Sequence, residues 1–192
     1  WAVGDAVLST CAVTGIRRPF ALAGPANRAG RLIADDIFTP EIARPMPRPL
    51  GTAIVRIGEL TAASTGVNKA TLQAAGIAHH TLHLHPNQHA GYFPGAAQMH
   101  LIVHFREGDG ALLGAQAVGP DGVDKRIDVL ATALRAGMAI DDLIDLDLAY
   151  SPPYSMVRDI VIPAAASAAQ AAPVHPCTPV AFRERADEVV VY

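Results

Sequence analysis

The chain has 192 residues, 51% of them apolar and drawn from Ala, Val, Ile and Leu rather than aromatics, enough for one sizeable core. No stretch approaches the roughly 18 uncharged residues that a membrane span requires, and a formal net charge of -3 offers no basic field, which sets aside membrane-spanning and nucleic-acid-binding roles. The two cysteines, Cys11 and Cys177, lie far apart with no second thiol beside either, so they suggest neither a disulfide framework nor a thiolate metal site and fit a reducing cytoplasm.

Trp1 to Val3 reads as the end of a buried strand, with Gly4-Asp5 as the turn at its carboxyl end. The absence of a leader ahead of this strand points to a cut. A helix is predicted from Gly24 to Ile37, with Pro25 at its first position and Leu32, Ile33 and Ile37 at helical spacing. The Pro-rich run Thr39 to Pro49 is a loop, and Thr52 to Ile57 a short strand. Asn68 caps a helix that runs through Ala75 and stops at Gly76. Thr81 to His85, His100 to Phe105 and Ala111 to Val118 alternate or return across the turn Glu107-Gly108-Asp109-Gly110, predicting an antiparallel sheet. Val123, Ile127, Leu130, Ala131 and Leu134 mark one face of a helix ending at Gly137, and a second acidic helix begins near Ile140. An Ala-rich helix is expected from Ser155 to Ala172. Pro173, Pro176 and Pro179 then punctuate a linker, and Val189-Val190-Val191 forms a strand without a partner. The fold class is α+β: an antiparallel sheet with packed helices.

Three stretches together resemble the flavin-dependent pyridine nucleotide-disulfide oxidoreductases, in particular their single-cysteine branch of coenzyme A-disulfide reductases and NADH oxidases. They are Ala2-Val3-Gly4-Asp5 with Leu22 to Arg31; His89-Ala90-Gly91-Tyr92-Phe93-Pro94-Gly95-Ala96; and Gly119 to Leu134 followed by Leu148 to Ser155. The resemblance covers about residues 1 to 172 and implies a division of the chain. Residues 1–45 would be the last strand, turn and helix of an FAD-binding domain, and residues 46–172 a dimerisation domain. Residues 173–192 would be a linker, or the start of a truncated rhodanese-like domain. Both Gly-x-Gly-x-x-Gly fingerprints and the redox cysteine of such enzymes would lie outside this chain, which alone would be inactive.

The resemblance implies FAD and NAD(P)H as cofactors, a homodimer, and coenzyme A disulfide or a related disulfide or polysulfide as acceptor. The alternatives are an NADH oxidase reducing dioxygen and, outside enzymology, a plain dimerisation module. Apolar faces too large for one small sheet and three helices to hide also favour a dimer. For FAD the residues are Gly4, Asp5, Gly24, Pro25 and Tyr150. A carboxylate at Asp5 can accept from a ribityl hydroxyl, and the helix opening at Gly24-Pro25 offers free N–H groups to the flavin.

Tyr92 and Tyr150 are the implied catalytic residues, reaching toward the partner subunit's flavin and cysteine, or else interface core. Asn27 and Arg158 are implied to hold substrate, Arg158 through a coenzyme A phosphate; each is otherwise a solvated helix residue. Phe93 stands where many relatives have tyrosine. Lys125, Arg126 and Asp128 match a family run but are explained by the charged outer face of an amphipathic helix. His79, His80, His83, His85 and His89 invite a metal, yet no carboxylate or cysteine completes a ligand set, and His83 and His85 fit the outward face of a strand.

Overall fold

The computed structural model describes residues 1–164, 166 and 188–191. Its elements are β1 (Leu8–Thr10), β2 (Arg17–Pro19), α1 (Ala23–Phe38), β3 (Ala53–Ile57), β4 (Leu60–Gly66), α2 (Lys69–Ala74), β5 (His79–Leu84), β6 (His100–Arg106), β7 (Leu112–Gly119), α3 (Val123–Ala136) and β8 (Glu188–Val191). The first two strands form a small hairpin, and the remaining six form one sheet in the order β3-β4-β7-β6-β5-β8. Every pairing is antiparallel except that of β8 with β5.

Successive residues of a strand point to opposite faces, and Leu112 and Leu113 divide the core accordingly. Leu112 joins the larger cluster, where α3 lays Val123, Ile127, Leu130 and Ala133 against the sheet. Leu113 instead meets Cys11, Phe20, Val67 and Leu72, which attaches the β1–β2 hairpin and α2 to the other face. Each fully buried leucine is worth roughly 1.5–3 kcal/mol, so the two clusters fix both layers. Between them, Gly66 pairs with Gly114. A Cβ on Gly114 would lie 2.1 Å from the Val67 carbonyl oxygen, and one on Gly66 would lie 2.3 Å from that of Leu113. Only two glycines let β4 leave the sheet so closely across β7.

The predicted central strands, the Asn68 cap and the α3 boundaries all appear. Asn68 Oδ1 accepts from the Thr71 backbone N–H at 2.9 Å, and Gly137, with φ 75°, ends α3. Other expectations are corrected. Trp1 to Val3 is not a buried strand: no described strand pairs with it, and Trp1 is 81% exposed. Pro25 is the third helical residue, since Leu22 is the N-cap; it is tolerated there because first-turn N–H groups have no helical partner anyway. β4 and the β1–β2 hairpin were not foreseen. β4 reads Leu-Thr-Ala-Ala-Ser-Thr-Gly, and its small residues show their face only once they lie flat against β7.

The acidic helix near Ile140 is a single 3-10 turn over Asp141–Asp145, anchored by buried Leu143, with Asp142 accepting from the Ala139 N–H at 2.8 Å. The Ala-rich helix begins at residue 161 rather than Ser155, because Asp159 accepts from the Val161 N–H and caps it. Its remainder to Ala172 and the linker lie outside the described residues. The terminal strand does have a partner, β5.

His104 on β6 is buried between the Thr81 hydroxyl and the Gln116 side chain, each 2.9 Å from a ring nitrogen. Burial pushes its imidazole down to about 4, despite the hydrogen bond with Gln116. The unfolded chain therefore takes up this proton near pH 6.5 and the folded chain only near pH 4. Stability present above pH 6.5 is lost as pH falls toward 4, by up to about 1.4 kcal/mol per pH unit. Urea midpoints of wild type and His104→Asn across this window should converge toward low pH; parallel curves would show that another group carries the dependence.

Candidate functional site

The connection between β5 and β6 is a shaped loop. Gln88 folds it by donating to the Gly95 carbonyl at 3.0 Å and accepting from the Ala97 N–H at 2.6 Å, while Met99 N–H donates to the Pro86 carbonyl at 2.8 Å. His89 is buried, its ring edge-on to Phe93 at 5.6 Å. The loop carries Tyr92 at its tip, 77% exposed. Tyr150 lies on the segment after the 3-10 turn, and the two phenol oxygens stand 3.0 Å apart. The hydrogen bond with Tyr92 raises the Tyr150 phenol above its ordinary range. In such a pair one hydroxyl is spent on the other, whose own proton remains available to a third, outer partner.

Beneath the pair sits an ion pair that contradicts the expected outer face of α3. Arg126 is 1% exposed. Its Nε donates to the Asp159 carboxylate at 3.2 Å, Nη1 to the Gly122 carbonyl at 3.1 Å and Nη2 to the Gln88 carbonyl at 2.6 Å, and Nη2 stands 3.0 Å from the second Asp159 oxygen. Ser155 donates to Asp159 at 2.7 Å, and Lys125 stands 3.3 Å from the same carboxylate. Burial alone would raise the Asp159 carboxyl, but the Arg126 charge and the bonds from Ser155 and Arg126 hold it below the usual range. Gly122 makes room, since a Cβ there would lie 2.4 Å from Arg126 Nη1. A signal for this burial existed in the sequence: Arg126 stands three residues after Val123 and four before Leu130, on the apolar stripe.

The implied flavin-side residues lie elsewhere. Gly4, with φ 98°, lines a cleft of about 350 Å³ together with Val3, Pro25, Ala26 and Ala29. The cleft faces the opening of α1, which has neither a side-chain cap nor an acidic residue in its first turn. Uncapped N–H groups and a helix N-terminus beside a turn with open space over Gly4 suit an electron-rich ring, so these residues fit one wall of a flavin site. Asp5 is exposed on the turn and does not line this cleft. Gly24 and Asn27 line a second cleft of about 710 Å³ with Arg28, Arg31 and Arg44. Arg158, exposed after Tyr154, lines neither cleft, nor do Tyr92 and Tyr150. Gly24 and Pro25 also share a cleft with Asp128 and Thr132 of α3, which neither tyrosine lines. His85 and His100 meet ring to ring on the sheet, and among the described residues no three potential metal ligands cluster.

Comparison with known proteins gives this geometry a family. Residues 52–160 match the pyridine nucleotide-disulphide oxidoreductase dimerisation domain. The chain is 37% identical over 163 residues to a coenzyme A disulfide reductase of Staphylococcus haemolyticus, covering 84% of this chain and 36% of that relative. It superposes with TM-score 0.84 on an NAD-dependent persulfide reductase from A. fulgidus, 40% identical over 88% of this chain and 31% of that one. It also superposes with TM-score 0.84 on reduced Bacillus anthracis CoADR-RHD, 39% identical over 88% of this chain and 30% of that one. The chain thus spans about a third of the length of the relatives it matches. With a matched domain that includes β3 to β7, α3 and both tyrosines, the chain belongs to the pyridine nucleotide-disulphide oxidoreductases.

Proposed function

We propose that this chain supplies the flavin-facing edge and the dimer half-site of an FAD-dependent NAD(P)H oxidoreductase whose acceptor is coenzyme A disulfide or a related disulfide or polysulfide. The observation that carries this reading is the exposed Tyr92–Tyr150 hydroxyl pair, built on a buried ion pair and lining neither cleft beside the opening of α1. A pair so placed is suited to the partner subunit's centre. Residues 1–45 then serve the flavin side, and residues 46–172 the interface. Apolar side chains left bare on β3 and beyond, among them Ile54, Ile57, Leu60 and Val157, support a second copy as their cover.

When bound, FAD supplies the two-electron relay from NAD(P)H to a redox cysteine outside this chain. The residues here do the holding. Gly4 and Pro25 would let the ring approach, the first turn of α1 around Gly24 would offset negative charge with its N–H groups, and Asp5, exposed on the turn outside the cleft, would meet a ribityl hydroxyl only from its rim. The proton left free on the tyrosine pair is donated to a sulfur as it becomes a thiolate, which lowers the cost of breaking the disulfide. Asn27 offers an amide to the thiol substrate, and exposed Arg158 attracts a phosphate.

In the full-length protein, NAD(P)H consumption under anaerobic conditions should require coenzyme A disulfide. Consumption that needs only dioxygen would move the assignment to an NADH oxidase. Arg158→Ala should raise KM for coenzyme A disulfide several-fold, roughly what an exposed charge contact provides, and the effect should shrink at high salt. An equal rise in KM for NAD(P)H would remove coenzyme A as the ligand of Arg158.

A further inference from the structure

Tyr92 and Tyr150 are 58 residues apart in sequence and joined by a hydrogen bond between their exposed hydroxyls, so both segments must be held in register from beneath. The bonds below the pair converge on one group. From Asp159, Arg126 continues to the Gln88 carbonyl, four residues before Tyr92. Ser155, which donates its hydroxyl to Asp159, also accepts the Ala90 N–H at its own carbonyl, at 3.1 Å. Lys125 approaches the same carboxylate and donates to the Ala149 carbonyl at 3.4 Å, immediately before Tyr150.

We infer that Asp159 is the brace that sets the spacing of the two phenols, with Lys125 as its arm to Tyr150; both are positioning residues for the thiol-disulfide step, an inference that rests on the function proposed above. Arg126 by itself balances the Asp159 charge, with Nε donating to one carboxylate oxygen and Nη2 standing 3.0 Å from the other. Lys125 is therefore surplus to neutralising the carboxylate. What it adds is a tether on the backbone next to Tyr150. Its side chain is 32% exposed, so removing it leaves the buried pair in place.

Asp159→Asn is the direct variant, but it strands the buried Arg126 charge and risks unfolding. Lys125→Met in the full-length flavoenzyme avoids this. Stopped-flow measurement should show the disulfide-dependent phase slowed by roughly 10-fold, as expected for a reacting group displaced by a fraction of an ångström, with the flavin-reduction phase and melting temperature as internal references that hold. Lys125→Arg, which can still span Asp159 and Ala149, should recover most of the rate. In a Tyr150→Phe background, Lys125→Met should cost little more, because the group it positions is gone.

Losses that multiply in the double variant, or a rate loss matched by a fall in melting temperature, would overturn the brace. So would a parent-like rate in Lys125→Met when Tyr150→Phe is slow. If Tyr150→Phe itself turns over disulfide at the parent rate, the tyrosine reading falls first and the brace falls with it.

Discussion

Replacing Arg126 with Ala should destabilise the folded chain by about 3–5 kcal/mol, the cost of breaking a buried ion pair and leaving its partner charged and dry. Asp159 is 2% exposed, and it would keep the Ser155 hydroxyl, the Val161 N–H and the partly exposed Lys125. The Gln88 and Gly122 carbonyls would each lose a donor as well. Against a typical total of roughly 5–15 kcal/mol, this is a large share. The effect should be specific to stranding a charge. Arg126→Met combined with Asp159→Leu removes both ions and should recover a good part of the loss, because apolar packing often replaces a buried pair at little cost. Urea midpoints of the two single variants and the double would decide it. If Arg126→Ala costs less than about 1 kcal/mol, the guanidinium behaves as a solvated surface group and the arrangement beneath the tyrosines is wrong.

Tyr92→Phe and Tyr150→Phe in the full-length protein should each slow disulfide turnover by roughly 10- to 100-fold, the scale on which removal of one preorganised donor to a developing anion is felt. Flavin reduction by NAD(P)H should stay close to the parent. The two hydroxyls act as one unit, since whichever donates to the other frees the second proton to point outward. The double variant should therefore lose little beyond either single. Deleting only the oxygen keeps both rings, so a pair that merely packs an interface would turn over disulfide at the parent rate. Stopped-flow traces separate these outcomes, and a fall in flavin reduction that tracks turnover would place the tyrosines on the wrong half-reaction.

Much of this molecule follows from short-range chemistry. β5, β6 and β7 come from alternation and a Gly-rich turn, α2 from the reach of Asn68 to Thr71, and the end of α3 from the left-handed Gly137. Each of these causes acts within a few residues, so the sequence determined them by itself, as it did the family motifs around Tyr92 and Tyr150. The tertiary structure decided the rest. β4 becomes a strand because its small residues lie flat on β7 opposite Gly114, and the Ala-rich helix starts at residue 161 because Asp159 is already held by Arg126. The meeting of two phenols, and the pairing of buried Arg126 with Asp159 33 residues away, depend on which distant segments fold against α3. A residue's type states what bonds it can make; only the packed chain states which donors and acceptors are within reach and which water no longer satisfies.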